Sequence, residues 1–340
     1  MKKTNYKKLI AVSCKEYADI RKGELSSLVS KLPQKPCLAV IQIGNDKASE
    51  SYIAGKKRDC ASVGIMMQHI QYSHMVEEKV VLDKINELNC DVNVHGIIVQ
   101  LPIPFDVKKI QKAIRIEKDV DGFRLESGFD PCTPKGIIDW MVYNNVDLVG
   151  KKVMVIGRSE IVGKPLVNML IDRSATVTCC HSKTEMLSSL TNKMDIVIAA
   201  VGKPKKFDSE YFSDYQLLVD VGINRDENDK LCGDIDKEDV EGLGKHSYVT
   251  SVPGGVGLLT RLALLENTVK AYMEMHHVFM VNDRVEINNP YHIYDKKAGV
   301  VIDTEKSVVW SPHDILYTVK LDDTDKTCCL NGHDLILKTE

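Results

Sequence analysis

Short apolar runs alternate with amphipathic stretches along the first third of the chain. The runs CLAVIQIG, MMQHIQY and HGIIVQ predict strands, and residues 48–63 and 80–88 have the periodicity of helices. Together these segments predict a βαβαβ unit over residues 36–100. Parallel strands joined in this way need crossover helices that cover both faces of the sheet.

A second alternating series follows the turn-rich segment DPCTPKG. It predicts a helix over residues 136–143 and strands over KKVMVIG, ATVTCC, DIVIAAVG and LLVDVG. A long helix over residues 257–275 closes the series, and we expect it to pack back on the first unit. The predicted fold class is α/β, with two open α/β domains and a cleft between them where ligands bind.

Beyond His277 the pattern changes to short β-type runs, namely HVFMV, GVVID, SVVW, ILYTVKL and DLILK. It predicts a small β-rich appendage that supports a dimer, offers a partner surface or acts as a lid. His313-Asp314 and His333-Asp334 are expected to be turn residues rather than metal ligands. The predicted divisions are 1–136 completed by helix 257–276, a Rossmann-like domain over 137–256, and the appendage over 277–340.

Composition narrows the class of partner. The 340 residues carry a formal net charge of −3, with a pI near 6.4, which gives no basic face for nucleic acid or a membrane surface. A small-molecule partner is therefore expected. The apolar run Leu9–Val12 is too short for a signal-peptide core, so we expect a cytoplasmic protein. Ten cysteines without a C-x-x-C pair indicate reduced thiols and no metal site.

The segment VMVIGRSEIVGKP runs from a predicted strand into a predicted helix. Gly157, Ser159 and Gly163 lie in its turn, where backbone N–H groups at a helix N-terminus can hold a phosphate. An ordinary tight strand–helix turn is the alternative, since the segment departs from G-x-G-x-x-G.

The end of the following strand indicates which nucleotide is bound. NAD enzymes usually place an acidic residue there for the ribose 2′-hydroxyl, but this chain has Cys180-His181-Ser182-Lys183. A hydroxyl and a basic group, with Arg158 in the first turn, suit a 2′-phosphate better than a free hydroxyl. NADP is therefore favoured over NAD.

Polar side chains at two places in the first unit are candidates for a catalytic site. Tyr52 and Lys56 lie four residues apart in a predicted helix and share one face, although such a pair is usually solvated. The pair precedes the nucleotide turn by about a hundred residues, which argues against short-chain dehydrogenases. Gln100 ends a strand, where its side chain could hydrogen-bond a lysine amine.

Two further segments could contact a flat ligand. Asp121, in KDVDGF, either forms a turn or binds amino-pyrimidine N–H groups through its carboxylate. The segment PGGVG, from Pro253 to Gly257, opens the long final helix. Its glycines allow close approach of the backbone to a ligand, and a structural turn is the alternative.

Taken together, these segments resemble the methylenetetrahydrofolate dehydrogenase/cyclohydrolase family, in order from about Pro36 to Tyr272. The shared blocks are S-x-x-Y-I-x-x-K (Ser49 to Lys56), GIIVQLPIP (Gly96 to Pro104), KDVDGF (Lys118 to Phe123), PCTPKGI (Pro131 to Ile137), GRSEIVGKP (Gly157 to Pro165), ATVTCCHSKT (Ala175 to Thr184), DVGIN (Asp220 to Asn224), and VPGGVG followed by LLENT (Leu264 to Thr268).

The resemblance implies NADP-linked oxidation of 5,10-methylenetetrahydrofolate to the methenyl form, hydrolysis of that form to 10-formyltetrahydrofolate, and a homodimer. It implies that Lys56 is the main catalytic residue of hydrolysis, that Gln100 adjusts it, that Tyr52 orients the folate and that Asp121 anchors the pterin. The other implied substrate contacts are Val99, Leu101, Pro253, Gly254, Gly255, Val256 and Gly257. The implied cofactor contacts are Gly157, Arg158, Ser159, Ile161, His181, Ser182 and Ile223.

Three departures from the family pattern leave alternatives open. The segment RLESGFD after Phe123 is shorter than the family's loop, Leu258 stands where the family has a proline, and the appendage has no counterpart. The first two adjoin the expected folate pocket, so a monofunctional dehydrogenase is the second interpretation. The third is an inactive NADP- or folate-binding protein that works through its appendage. Joint retention of Tyr52, Lys56, Gln100 and Asp121 argues against it.

Overall fold

A computed structural model of the protein describes residues 11–240, 247–276, 284–287, 296–306, 315–322, 324, 326–331 and 335–338. The predicted strands HVFMV and SVVW and the two His-Asp pairs lie outside these residues. Among the helices in the described part of the chain, none is both long and apolar enough to cross a membrane.

The first unit confirms the predicted alternation and adds an N-terminal helix. Its elements are β1 (Ala11–Val12), α1 (Lys15–Val29), β2 (Cys37–Ile43), α2 (Lys47–Val63), β3 (Met66–Tyr72), α3 (Glu78–Cys90), β4 (Gly96–Gln100), α4 (Val107–Ala113), two 3₁₀ turns (Ile116–Lys118 and Leu125–Ser127) and α5 (Cys132–Tyr143).

The second unit contains β5 (Lys152–Ile156), α6 (Gly163–Asp172), β6 (Thr176–Cys180), α7 (Leu187–Thr191), β7 (Ile196–Ala199), a 3₁₀ turn (Ser209–Tyr211), β8 (Leu217–Asp220), β9 (Asn224–Arg225), β10 (Leu231–Cys232), α8 (Lys237–Val240), β11 (Tyr248–Thr250) and α9 (Val256–Met275). The appendage contains β12 (Arg284–Ile287), β13 (Ala298–Lys306), β14 (Ile315–Leu321), β15 (Thr327–Asn331) and β16 (Leu335–Leu337).

In the described residues, two parallel sheets, a five-stranded antiparallel sheet and a short antiparallel pair of β9 with β10 confirm the predicted α/β fold with a β-rich appendage. The first sheet has the order β3-β2-β4 and the second the order β1-β11-β8-β7-β5-β6. Since β1 pairs with β11, Ala11–Val12 belongs to the second sheet although it precedes the first unit in the chain. The appendage forms an antiparallel sheet of order β15-β14-β13-β12-β16 around buried residues such as Val301 and Tyr317.

Helices α5 and α9 pack closely between the two sheets. A Cβ on Gly136 would lie 2.7 Å from the backbone of Leu259, so the helices approach closely only because this position is glycine. Glu266 of α9 accepts hydrogen bonds from Arg21 of α1 and Lys135 of α5. These contacts confirm that the last helix packs back on the first unit.

A buried histidine, His95, lies directly before β4. His95 accepts a hydrogen bond from Cys37 N on Nδ1 (2.9 Å), so Nε2 carries the proton that faces His276 Nε2 at 3.1 Å. Burial, with His276 and Lys118 nearby, lowers the pKa of His95 to about 4. The structure therefore holds His95 in its neutral form at neutral pH.

This depressed pKa gives a testable pH dependence. The contribution of neutral His95 to the free energy of unfolding is fully present above pH 6.5. It is lost as the pH falls through about 4, because the unfolded chain takes up the proton first. The loss amounts to about 3 kcal/mol of unfolding free energy. We expect the free energy of unfolding, measured by urea denaturation at pH 7.5 and pH 4.5, to change less with pH in His95→Gln than in the wild-type protein. An equal pH effect in both proteins would contradict this account.

Candidate active site

The N-terminus of α2 fixes the helix that carries Tyr52 and Lys56. Asp46 caps this helix by accepting a hydrogen bond from Ser49 N at 2.8 Å. The next turns present Tyr52 and Lys56 on the face that meets β4 and α9. The shared face predicted from their spacing is therefore directed at other parts of the fold rather than at solvent.

Tyr52 and Lys56 line a cleft of about 170 Å³ that opens to solvent. Strand β4 and the loop after it contribute Val99, Gln100 and Leu101. The remaining lining residues are Asp121, Phe123, Cys132, Thr133, Ile161, Val162, Thr260 and Leu264. The structure thus brings together six predicted substrate residues and one predicted cofactor residue, Ile161.

Lys56 is held by one directed hydrogen bond. Its Nζ donates to Gln100 Oε1 at 2.9 Å, and Gln100 Nε2 donates to Leu101 O at 3.0 Å. Ser49 Oγ also lies within hydrogen-bond distance of Leu101 O, at 3.2 Å. The hydrogen bond from Gln100 Nε2 to Leu101 O fixes which end of the Gln100 amide faces the amine. Gln100 therefore presents an acceptor to Lys56.

Burial and one carboxylate set the protonation of this amine. Burial lowers the pKa of Lys56, and the negative charge of Asp121 partly opposes that shift. Burial likewise raises the pKa of Asp121, and the positive charge of Lys56 opposes it. The two groups therefore stabilise each other's charge inside the cleft, and desolvation brings both closer to their neutral forms.

Tyr52 is held as a neutral hydroxyl beside two cations. Burial raises the pKa of Tyr52 to about 12. Lys56 Nζ lies 5.3 Å from its ring centre, and the guanidinium carbon of Arg261 lies 6.0 Å away. Arg261 is in turn held by Asp59, whose Oδ2 accepts from Nε at 2.5 Å. Tyr52 can therefore donate or accept a hydrogen bond in the cleft without carrying a charge.

Several lining residues on α5 and α9 were not predicted from the sequence. Cys132 and Thr133 lie in PCTPKG, where a turn was expected before a helix starting at residue 136, yet α5 begins at Cys132. That expectation was wrong because proline is accepted in the first helical turn. Thr260 Oγ1 lies 3.0 Å from Thr133 Oγ1 and joins the two helices at the cleft. The PCTPKGI block and Leu264 of the LLENT block were the sequence features that pointed to this region.

The segment from Pro253 to Gly257 does not line this cleft, since α9 reaches it one turn later. Gly254 has a φ of 101°, and its carbonyl accepts a hydrogen bond from Cys14 N at 2.9 Å. A Cβ on Gly257 would lie 3.2 Å from Ile223 Cδ1, beside a predicted cofactor contact. Contact of these five residues, Val256 included, with the substrate stays a prediction.

The shortened segment after Phe123 closes compactly on α9. It contains a 3₁₀ turn and ends with Phe129 buried in the core of the first unit. Lys270 Nζ donates to Gly128 O at 3.0 Å and lies 5.2 Å from the Phe129 ring centre. Leu258 packs, partly buried, against the core of the second unit. Both departures from the family pattern therefore occupy ordered, packed positions.

The nucleotide turn joins β5 to α6 at the carboxyl edge of the second sheet. Gly157 has a φ of 129°, and a Cβ there would lie 2.2 Å from Ala200 O, so only glycine fits. Ser159 Oγ accepts from Val162 N (3.2 Å) and Gly163 N (3.3 Å), which orders the turn before the helix. This strand–turn–helix is the geometry that holds a dinucleotide phosphate.

The side chains around this turn fit a phosphorylated nucleotide. Arg158 and Ser182 are exposed, and no described residue forms an ion pair with Arg158. His181 N donates to Thr184 Oγ1 at 3.0 Å, which shapes the loop after β6 without a carboxylate at the strand end. Ile223, about half exposed, lies across the same edge after β8. Contact of Arg158, His181 and Ser182 with the cofactor stays a prediction.

Comparison with protein families gives two adjoining matches. Residues 12–121 match the catalytic domain of tetrahydrofolate dehydrogenase/cyclohydrolase. Residues 131–276 match the NAD(P)-binding domain of the same family. Neither match extends into the appendage.

Curated relatives and solved structures agree with these matches. The bifunctional protein FolD of Bacillus anthracis is 44% identical over 279 residues, which cover 77% of this chain and 97% of that protein. The crystal structure of the bifunctional enzyme FolD, a methylenetetrahydrofolate dehydrogenase/cyclohydrolase from Campylobacter jejuni, is 40% identical, with a TM-score of 0.73 over 76% of this chain and 97% of its own. The Trypanosoma brucei dehydrogenase-cyclohydrolase, solved with NADP and an inhibitor, is 27% identical, with a TM-score of 0.73 over 78% of this chain and 98% of its own.

Proposed function

Since this chain belongs to the tetrahydrofolate dehydrogenase/cyclohydrolase family, we propose that it oxidises 5,10-methylenetetrahydrofolate with NADP and hydrolyses the methenyl product to 10-formyltetrahydrofolate. The observation that carries the proposal is the cleft in which Lys56 donates to Gln100 and lies near Tyr52 and Asp121. It adjoins the nucleotide turn through Ile161 and Val162.

Some cleft residues bind the substrate and others assist proton transfer. The Asp121 carboxylate accepts hydrogen bonds from N–H groups of the pterin and holds the pterin against β4. Tyr52 orients the ring, and Val99 and Leu101 supply the wall. Bound NADP would supply the hydride acceptor, so the protein's own contribution to oxidation is mainly position and electrostatics. A partly desolvated Lys56, oriented by Gln100, assists proton transfer around the attacking water during hydrolysis.

We propose that folate and NADP are bound by different domains. Residues 1–136, completed by helix 257–276, bind the folate, residues 137–256 bind NADP, and β1 belongs structurally to the second sheet. Substitutions at Lys56 and Gly157 are expected to affect different activities and so test this division.

We also propose a cytoplasmic homodimer. Among the described strands, β6 is an outer strand of the second sheet and carries neither lysine nor proline, and such edges pair readily with another chain. A mass in solution of twice the chain's 38.1 kDa supports the dimer, and a mass of one chain contradicts it.

The first experiment follows formation of the methenyl product by absorbance. Purified protein is given 5,10-methylenetetrahydrofolate with NADP or, separately, with NAD. We expect faster oxidation with NADP, because Arg158 and Ser182 lie where a carboxylate would otherwise repel the 2′-phosphate. No product with either nucleotide would contradict the proposed dehydrogenase activity.

A monofunctional dehydrogenase is the second candidate. The observation in its favour is the compact segment around Gly128, held by Lys270, in place of the family's longer loop at the folate entrance. In that case the methenyl product would accumulate and decay only at its rate in buffer.

A further inference from the structure

A buried carboxylate lies beneath the loops that follow β7 and β8. The Asp234 side chain is fully buried. Its Oδ2 accepts hydrogen bonds from Val201 N (2.6 Å) and Gly202 N (3.1 Å). Its Oδ1 accepts from Lys203 N (2.8 Å) and from Asn224 Nδ2 (2.9 Å). One side chain therefore ties together two loops that are separate in the sequence.

A second carboxylate holds Asp234 in place. Asp220, at the end of β8, is nearly fully buried. Its Oδ1 accepts from Asp234 N (2.9 Å) and Gly222 N (3.0 Å), and its Oδ2 accepts from Ile235 N (3.0 Å). A Cβ on Gly222 would lie 2.3 Å from Asp234 Oδ1, so the turn fits closely around the carboxylate. The buried hydrogen-bonding capacity is satisfied, which makes the arrangement rigid.

The two loops form part of the wall of the proposed cofactor site. They follow neighbouring parallel strands, so they meet at the carboxyl edge where open α/β sheets bind nucleotides. The first loop begins directly after Ala200, whose carbonyl packs on Gly157. The second carries Ile223 next to Asn224 and reaches Gly257 of α9. Neither carboxylate lines the folate cleft.

We propose that Asp234 is a positioning residue for the dinucleotide: it holds loops 201–203 and 222–224 in the arrangement that binds NADP, and it has no part in hydrolysis. The inference rests on the proposed function and extends it. A neutral amide cannot replace the carboxylate, because one of its ends is a donor and would face the backbone N–H groups of one loop.

The test compares Asp234→Asn with Asp229→Asn, which removes the same charge from an exposed position between β9 and β10. NADP affinity is measured by calorimetry, and hydrolysis of 5,10-methenyltetrahydrofolate is measured without nucleotide. For Asp234→Asn we expect NADP to bind at least about tenfold more weakly, because hydrogen bonds to a charged carboxylate are lost. Hydrolysis should stay within about twofold of wild type, and Asp229→Asn should change neither quantity.

Equal losses of NADP affinity and hydrolysis would show a merely structural role and overturn the proposal, as would unchanged NADP affinity. If Asp234→Asn fails to fold, Asn224→Ala is used instead, because it removes one of the four hydrogen bonds that Asp234 accepts. We expect it to weaken NADP binding and to leave hydrolysis unchanged. Equal losses of both, or unchanged NADP affinity, would again overturn the proposal. Calorimetry on the wild-type protein reports NADP binding even without turnover. Failure of the proposed dehydrogenase activity is therefore distinguishable from failure of this inference.

Discussion

Replacing Lys56 with Met is expected to slow hydrolysis of 5,10-methenyltetrahydrofolate by about 10²–10⁴-fold, the range that a positioned acid–base group contributes. Met has nearly the length of Lys and keeps the buried stem, but it removes the amine that donates to Gln100 Oε1. Folate binding should persist, because Asp121 and Tyr52 remain. Hydrolysis without nucleotide and folate binding by calorimetry are the two measurements.

The matched control for this variant is Lys57→Met. Lys57 is the next residue of the same helix and is exposed, so its loss removes an equal charge away from the cleft. We expect Lys57→Met to hydrolyse at the wild-type rate. Retained hydrolysis in Lys56→Met would remove Lys56 from its proposed role, and a loss of folate binding in that variant would indicate collapse of the cleft instead.

Replacing Gly157 with Ala is expected to reduce NADP-linked oxidation by at least about 10²-fold, a barrier increase of about 2.7 kcal/mol. The residue has a φ of 129°, and a Cβ would lie 2.2 Å from Ala200 O. The turn between β5 and α6 must therefore move, and the phosphate-binding N–H groups move with it. Hydrolysis without nucleotide should be affected far less, because Lys56, Gln100 and Asp121 lie on the first unit and the turn reaches the cleft only through Ile161 and Val162.

Gly150→Ala is the control for Gly157→Ala. Gly150 also has a positive φ, 69°, but a Cβ there would meet no atom of the described residues within 4 Å, its chain neighbours aside. The control therefore tests backbone strain without a clash. We expect it to keep both activities. Wild-type oxidation in Gly157→Ala would contradict the placement of the nucleotide at this turn.

Strands were the part of the fold that the sequence predicted best. Continuous apolar runs mark strands covered on both faces, and β2 and β5 follow that pattern. Helix α1 was missed because its buried side is sparse: only Tyr17, Ala18, Leu25 and Val29 are buried over fifteen residues. Such a pattern differs little from a polar loop, and packing against α2 and α9 determines the helix.

The candidate site was predictable where one helix or one strand end placed the residues. The spacing of Tyr52 and Lys56 predicts a shared face, and the strand end predicts a polar Gln100 at the sheet edge. The hydrogen bond between Lys56 and Gln100 depends instead on how α2 packs on β4. Thr260 was missed because the first half of α9 is mostly apolar, and its role at the cleft comes from the close approach of α5 to α9 at Gly136.

The most direct test of the central claim supplies 5,10-methenyltetrahydrofolate to the wild-type protein without any nucleotide and follows its loss by absorbance. The arrangement of Lys56, Gln100 and Asp121 predicts loss well above the rate in buffer, with 10-formyltetrahydrofolate as the product. Loss at the buffer rate alone would contradict a hydrolytic role for this cleft and leave the protein a dehydrogenase only.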